Sequence, residues 1–334
     1  MAVSIKEVAA LAKVSVGTVS NVLNSTAGVS PKTVEKVNTA ISQLGYVRND
    51  AARQLRAGTS NTIGMLVLDV RNPFFTDIAR GAERAASEHG YTILLANSDE
   101  SSDRESNYLD VFEQQRVRGI LITPVGDITQ RLAQLDSHGT DVVLVDSTAP
   151  NKTLRSVSVD DVSGGFLAVE HLLETGCRNI AFVGGPLSTP QVADRLTGAS
   201  DAVSKISGAT LQVISTSSLS SKSGKEAAVQ LLALDNLPDG IFAANDVLAL
   251  GMIQEISAQG TIRIPEDIAI IGYDDIEFAE SAFVPLSSIR QPTDQMGAQA
   301  VELLLRFAEG DPTQTEVSFQ PELIIRESTR RLSN

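Results

Sequence analysis

From Thr62 onward, short apolar runs alternate with amphipathic helical stretches, and this alternation constrains the fold more than any other feature of the chain. TIGMLVLD, YTILLANS, GILITP and DVVLVD form a first series of predicted strands. Helices are predicted from about Phe75 to His89 and through Tyr108 and Phe112. NIAFVGGP, LQVIST, GIFAAN and IAIIGYDD form a second series, with helices around His171 and after Gln191, Ser223 and Asp246. SSIRQP, a helix from Thr293 to about Ala308, and ELIIRES follow. Near-continuous apolar strands separated by helices imply parallel sheets covered on both faces. Two such series imply two similar lobes with a cleft between them, and ligands of such sheets lie outside the carboxyl ends of the strands.

Polar residues stand at those ends. Asp69 and Asn72 follow the first strand and precede Pro73, Phe74 and Phe75, while Asp146 ends DVVLVD. Arg195 lies after FVGGP, Asn245 and Asp246 follow GIFAA, Asp274 and Asp275 follow IAIIGY, and Gln291 precedes Pro292. Carboxylates, amides and one arginine between apolar walls can satisfy the hydroxyls of a small polar ligand. Taken singly, Asp246 reads as a helix cap and Asp275 as a solvated loop residue.

The stretch before Thr62 has a different texture. SIKEVAALAKVSVGTVSNVLN reads as two short helices joined by a tight turn. Ser4 and Glu7 have the spacing of a capping box, and Ile5, Val8, Ala9 and Ala12 give one apolar face. Ser15 is placed to cap the second helix. Val19, Val22 and Leu23 face inward, leaving Val16, Gly17, Ser20 and Asn21 outward. A helix opening on small polar residues can enter a DNA major groove; the same pattern also suits an ordinary antiparallel helix pair. Ser30-Pro31 starts a third helix with Val34, Val37, Ile41 and Leu44 on its apolar face, stopped by Gly45. In YVRNDAARQLRAGTS, Asn49 can cap a short helix ending before Gly58, on which Leu55 has no core to join. Such a helix is too short to be stable alone, so the stretch is either a flexible linker or a hinge that folds against a partner.

The net charge of −14 argues at first against nucleic acid, but its distribution reverses the inference. Residues 1–60 hold seven basic and three acidic residues, a net +4, which leaves −18 on the remainder. A basic head on an acidic body suits a protein that touches DNA at one end. No apolar run approaches the roughly 20 residues of a membrane span, and no apolar signal segment opens the chain. Cys177 is the only cysteine, so no internal disulfide can form and a cytoplasmic location is expected. His89, His138 and His171 are the only histidines and have no partner at metal-ligand spacing. There is no G-x-x-x-x-G-K-[ST], G-x-G-x-x-G or G-x-S-x-G. Gly164-Gly165 and Gly184-Gly185 read as turn or packing glycines. Neither catalysis nor a cofactor or metal is expected.

Four motifs together carry a resemblance: IKEVAALAKVS, TVSNVLN, SPKTVEKV, and the N-x-x-A-R-x-L spelled by Asn49, Ala52, Arg53 and Leu55. Residues 1–58 resemble the DNA-binding head of the LacI/GalR family of bacterial transcription regulators, and the likeness continues through essentially the whole chain. It implies a helix-turn-helix domain at 1–46, a hinge at 47–60, and a two-lobed periplasmic-binding-protein-like body at 61–334. The N-lobe would take about 61–161 and 293–321, the C-lobe about 162–292 and 322–330, with crossings near Asp161, Pro292 and Glu322. Val16, Gly17 and Asn21 would read bases, and Ser15, Thr18 and Ser20 would touch phosphate. In that family paired hinge helices enter the minor groove and the leucine matching Leu55 wedges into a base step. Arg48 stands where the family often has proline, adding a candidate phosphate contact.

The resemblance further implies that Asn72, Phe74, Phe75, Arg195, Asn245, Asp274 and Gln291 line an effector pocket; Asp146 joins them at its strand end. Leu219 replaces an aromatic that stacks on the ligand in many relatives. Thr189 and Gln191 stand where the purine-responsive repressor reads the base, which disfavours a purine. The expected molecule is a homodimeric repressor binding a palindromic operator under control of a small sugar, ribose or another pentose first. The chain ends without a heptad helix, favouring a dimer over a tail-linked tetramer. The alternatives are a nucleoside or sugar phosphate as effector, or a sugar-binding transport protein without regulatory function.

Overall fold

The computed structural model describes residues 3–23, 28–46, 60–149, 154–308 and 315–330. The hinge stretch, with Arg48, Asn49, Arg53 and Leu55, lies outside the described residues. The chain divides into two compact units, Met1–Ser60 and Asn61–Asn334.

The first unit holds three helices: α1 (Ile5–Ala12), α2 (Val16–Leu23) and α3 (Pro31–Leu44). The Ser4–Glu7 capping box forms, with Ser4 N donating to Glu7 Oε2 at 2.7 Å. Lys13 ends α1 in the left-handed region at φ 55°. Ser15 Oγ accepts from Thr18 N at 3.0 Å and so caps α2. Val8, Ala9, Ala12, Val19, Val37 and Ala40 form the core, and Val22, Leu23, Ile41 and Leu44 pack against it half-buried. The core is small, so the caps, worth about 1 kcal/mol each, are a sizeable share of this unit's stability.

The second unit contains two six-stranded sheets. In the first, β1 (Thr62–Val67), β2 (Thr92–Asn97), β3 (Gly119–Ile122), β4 (Asp141–Val145), β5 (Arg155–Val159) and β11 (Glu316–Phe319) are ordered β11-β5-β4-β3-β1-β2, all parallel. In the second, β6 (Asn179–Gly184), β7 (Thr210–Ser215), β8 (Gly240–Ala243), β9 (Ala269–Asp274), β10 (Ser287–Arg290) and β12 (Glu322–Ile324) are ordered β12-β10-β9-β8-β6-β7. Only β12 runs antiparallel to its neighbour. Consecutive strands lie in different sheets at residues 160–178, 291–315 and 320–321, so the chain passes between the lobes three times.

The helices are α4 (Pro73–Glu88), α5 (Ser102–Gln114), α6 (Thr129–Ser137), α7 (Asp161–Glu174), α8 (Pro190–Ser204), α9 (Ser221–Leu232), α10 (Asp246–Gln259), α11 (Glu277–Ser281) and α12 (Thr293–Ala308). Strands β5 and β11 and helices α6 and α11 were not legible in the apolar pattern. β5 is RSVSV, buried along its length although three of its five residues are polar. Gly165 and Gly198 permit an unusually close pairing of α7 with α8. A Cβ on Gly165 would stand 2.0 Å from the carbonyl oxygen of Arg195, and one on Gly198 would stand 1.9 Å from that of Val162. This approach brings the side chain of Arg195, on α8, against the first residue of α7.

Candidate functional site

A cavity of about 590 Å³ opens between the two sheets, at the carboxyl ends of their strands. Asn72, Phe74, Phe75 and Asp146 line it from the first lobe, and Thr189, Gln191, Arg195, Leu219, Asn245 and Asp274 from the second. Two of these anchor helices. Asn72 Oδ1 accepts from Phe74 N at 3.1 Å at the start of α4, and Asn245 Oδ1 accepts from Leu248 N at 2.9 Å at the start of α10. Phe74 and Phe75 meet edge to face, with centroids 5.0 Å apart, and are largely sunk in the core. Leu219 faces the cavity and its carbonyl accepts from Asn245 Nδ2 at 3.3 Å.

The electrostatic centre is Arg195, which is buried. Its Nε donates to Asp161 Oδ1 at 2.8 Å, its Nη1 to the Ala244 carbonyl at 2.7 Å, and its guanidinium lies over the Tyr273 ring at 3.7 Å from the centroid. Asp274 Oδ1 is 4.0 Å from Nη1. Burial alone would lower the pKa of Arg195, but Asp161 and the other acidic neighbours outweigh it and hold the cation. Asp161 entered the sequence reading only as a crossing point, because its partner lies 34 residues away and no local spacing announces the pair.

Asp146, the residue after β4, and Asp274, the last residue of β9, have φ of 53° and 105°. Backbone of this kind in non-glycine residues costs about 1–3 kcal/mol and concentrates at functional sites. Burial, then the neighbouring Asp161, pushes the Asp146 carboxyl well up, and Asp146 Oδ1 has no hydrogen-bond partner. Burial pushes Asp274 up to about 6 against the opposing pull of Arg195. Asn72 and Gln191 bridge the lobes: Asn72 Nδ2 donates to Asp274 Oδ2 at 3.4 Å, and Gln191 Nε2 donates to the Asp146 carbonyl and, at 3.4 Å, to Asp146 Oδ2.

Three expectations are corrected. Gln291 does not line the cavity; it is buried behind Asp274, and its Nε2 donates to Asp274 Oδ1 at 2.8 Å. Asp246 is not the cap of α10, a role taken by Asn245. Its carboxylate, fully buried, accepts from Ser288 Oγ at 2.7 Å and from Ile276 N at 2.9 Å. Asp275 is not a solvated loop residue: its side chain is 5% exposed and paired with two arginines.

The cavity's lining also carries charges that no strand-end apolar run announces. Arg71, Asp99, Glu100 and Asp127 stand there with Asp69, and Arg71 pairs with both Asp69 and Asp99. Carboxylates therefore outnumber cations along the lining.

In the helical unit, Val16, Gly17 and Asn21 are exposed on α2, and Thr18 and Ser20 are half-buried. A Cβ on Gly17 would meet only Ser15 Oγ, at an ordinary 3.7 Å. Packing within the unit does not require the glycine.

Residues 4–49 match the bacterial regulatory proteins of the lacI family, and residues 169–329 match a periplasmic binding protein-like domain. The ribose operon repressor of Bacillus subtilis (strain 168) is 37% identical over 330 residues, 98% of this chain and 99% of that protein. The chain belongs to the LacI family. A second relative, the HTH-type transcriptional repressor PurR of Vibrio atlanticus (strain LGP32), is 34% identical over 334 residues, 99% of each chain. A LacI family transcriptional regulator from Enterococcus faecium, solved with bound ribose, superposes with a TM-score of 0.73 at 31% identity and covers 81% of this chain and all of its own. As a LacI-family member this chain is a DNA-binding transcriptional repressor under the control of a small ligand.

The titration of Asp274 yields a direct test. Its carboxyl has a higher pKa folded than unfolded, so between about pH 4 and 6 the folded chain keeps a proton that the unfolded chain has lost, and stability falls as pH rises through that window. Asp274→Asn is expected to be more stable than the wild type by about 1–3 kcal/mol at pH 7 and nearly equal to it at pH 4. Thermal melts at the two pH values check this; a variant less stable at pH 7 contradicts it.

Proposed function

We propose that the inter-lobe cavity takes a small neutral sugar, ribose or another pentose first, and that its occupancy sets the affinity of α2 and the hinge for a palindromic operator. The observation that carries this is the convergence of Asp146 and Asp274 from opposite lobes onto one buried arginine. Acceptor oxygens facing a guanidinium can hold a ring that both donates and accepts hydrogen bonds. Phe74 and Phe75 offer apolar surface to its C–H face. Arg195 and Arg71 are both engaged by carboxylates, so the lining offers a phosphate little charge, which weighs against a sugar phosphate. Similarity to the ribose operon repressor and to the ribose-bound regulator supports the same choice.

A nucleoside is the second reading. The cavity is larger than a pentose fills, and the chain is also similar to PurR. Isothermal titration of the full chain with D-ribose, ribose 5-phosphate and adenosine separates the three. Heat with D-ribose and none with the phosphate is expected. No heat with D-ribose beside clear binding of either other compound overturns the assignment.

On the DNA side, Val16, Gly17 and Asn21 read base edges in this proposal, and Ser15, Thr18 and Ser20 hold phosphate. Arg48, Asn49 and Arg53 bring the hinge to the backbone, and Leu55 wedges into the minor groove. Two copies act together. β2 is a sheet edge carrying Leu94 and Leu95, each 42% exposed, and Phe283 is 94% exposed. A second copy covering such apolar edge surface resolves its aggregation hazard. Operator binding of the wild type, Leu55→Ala and Leu94→Lys, on a site selected from random DNA, tests both parts. Leu55→Ala is expected to remain dimeric and lose at least about tenfold in affinity. Leu94→Lys is expected to sediment as a weaker dimer. Unchanged affinity and unchanged assembly, respectively, would remove each role.

A further inference from the structure

Asp274 and Asp275 are consecutive, yet their carboxylates serve different ends. Asp274 lines the cavity, whereas Asp275 is closed between two arginines. Arg290 Nε donates to Asp275 Oδ2 at 2.7 Å, and Arg326 Nη1 donates to Oδ1 at 2.6 Å. Arg290 is the last residue of β10, just before the chain leaves the second sheet. Arg326 stands two residues beyond β12, the strand entered from the 320–321 crossing. Arg290 Nη1 also reaches Glu322 Oε2 of β12 at 3.4 Å, and Arg326 Nη1 donates to the Leu286 carbonyl at 2.8 Å. One carboxylate thus fastens together two of the three passages between the lobes.

The backbone joining the two aspartates has little independent freedom. Asp275 follows Asp274 at φ 54°, also left-handed. Asp275 N donates to Ser288 Oγ at 3.0 Å, and Ile276 N donates to the buried Asp246. The side-chain hydrogen-bond partners of Asp274 are Gln291, at the second passage, and Asn72, in the other lobe. A ligand hydroxyl that takes over the hydrogen bond from Asn72, which lines the cavity, therefore acts on a held dipeptide whose next side chain grips both passages. A buried carboxylate between two cations is weak evidence for stabilisation, because desolvation offsets most of its attraction. Its location at the passages is better explained by transmission.

We propose that Asp275 is a positioning residue that passes the occupancy of the cavity to the lobe passages through Arg290 and Arg326. The proposal rests on the reading of the cavity as the effector site, and its test has a ligand-free arm that does not depend on the effector's identity. Hydrogen exchange of the full chain, followed by mass spectrometry, is measured for the wild type, Asp274→Asn, Asp275→Asn and the double variant. Asp274→Asn is expected to change exchange across 286–292 and 322–326 by about tenfold, and to add little once Asp275 is already Asn. Effects that multiply independently overturn the proposal, as does an Asp274→Asn chain unchanged in those segments. Arg290→Gln, at a half-exposed position, replaces Asp275→Asn in the cycle should that variant not fold. In the second arm, saturating D-ribose is expected to alter the same segments in the wild type and not in Asp275→Asn, with ribose affinity unchanged within about threefold. Should D-ribose not bind the wild type, the ribose assignment fails and the ligand-free cycle alone decides the role of Asp275.

Discussion

The buried guanidinium of Arg195 is the interaction on which the rest of the cleft depends. A charge taken out of water is costly unless it is paired and hydrogen-bonded. Here the Asp161 carboxylate, the Ala244 carbonyl, the Tyr273 face and the nearby Asp274 supply that compensation. Their positions come from different layers: the start of α7, the end of β8, and the last two residues of β9. The close approach of α7 and α8 at Gly165 and Gly198 lets the pair form. Packing without Cβ atoms at this helix pair thus helps decide where the cation stands.

Around this cation the balance is deliberately imperfect. Asp146, Asp161 and Asp274 face a single arginine, and burial raises the carboxyls of Asp146 and Asp274. Asp146 keeps an acceptor oxygen without a partner. Left-handed backbone at Asp146, Asp274 and Asp275 adds strain at the same place. A site with acceptor oxygens to spare gains free energy when a ligand supplies donors, which is a general means of making binding change the shape of a protein. The two bridges between lobes, from Asn72 and from Gln191, use groups that a bound sugar would compete for.

Much of this architecture was legible in the sequence, for identifiable reasons. Apolar runs such as IAIIGY and NIAFVG mark buried parallel strands whatever surrounds them. Ser4 with Glu7, and Ser30 with Pro31, announce helix starts by local chemistry. Residues at strand ends fall near the cleft because the topology places all those ends together, so Asp146, Asn245 and Asp274 could be found without a structure. What stayed hidden depends on distant partners. RSVSV has no apolar run, and its burial comes from neighbours on both sides of the sheet. Asp246 looks like a cap because Ser288, on β10 and 42 residues away, is invisible from its own helix. Asp275 looks like a loop residue until Arg290 and Arg326 arrive from later in the chain. Gln291 stands one layer behind the cavity, a distinction of depth that spacing along the chain does not encode.

Control of operator binding by the cavity's buried charges is read from the affinity of the full chain for a selected operator as D-ribose is raised, in the wild type and in Asp146→Ala. Ligand is expected to change the wild-type affinity by about 5- to 150-fold, and Asp146→Ala to bind the operator like the wild type without ligand but not to respond to it. A wild-type affinity that stays constant while calorimetry shows the cavity filled, or an Asp146→Ala chain that responds as fully as the wild type, would contradict it.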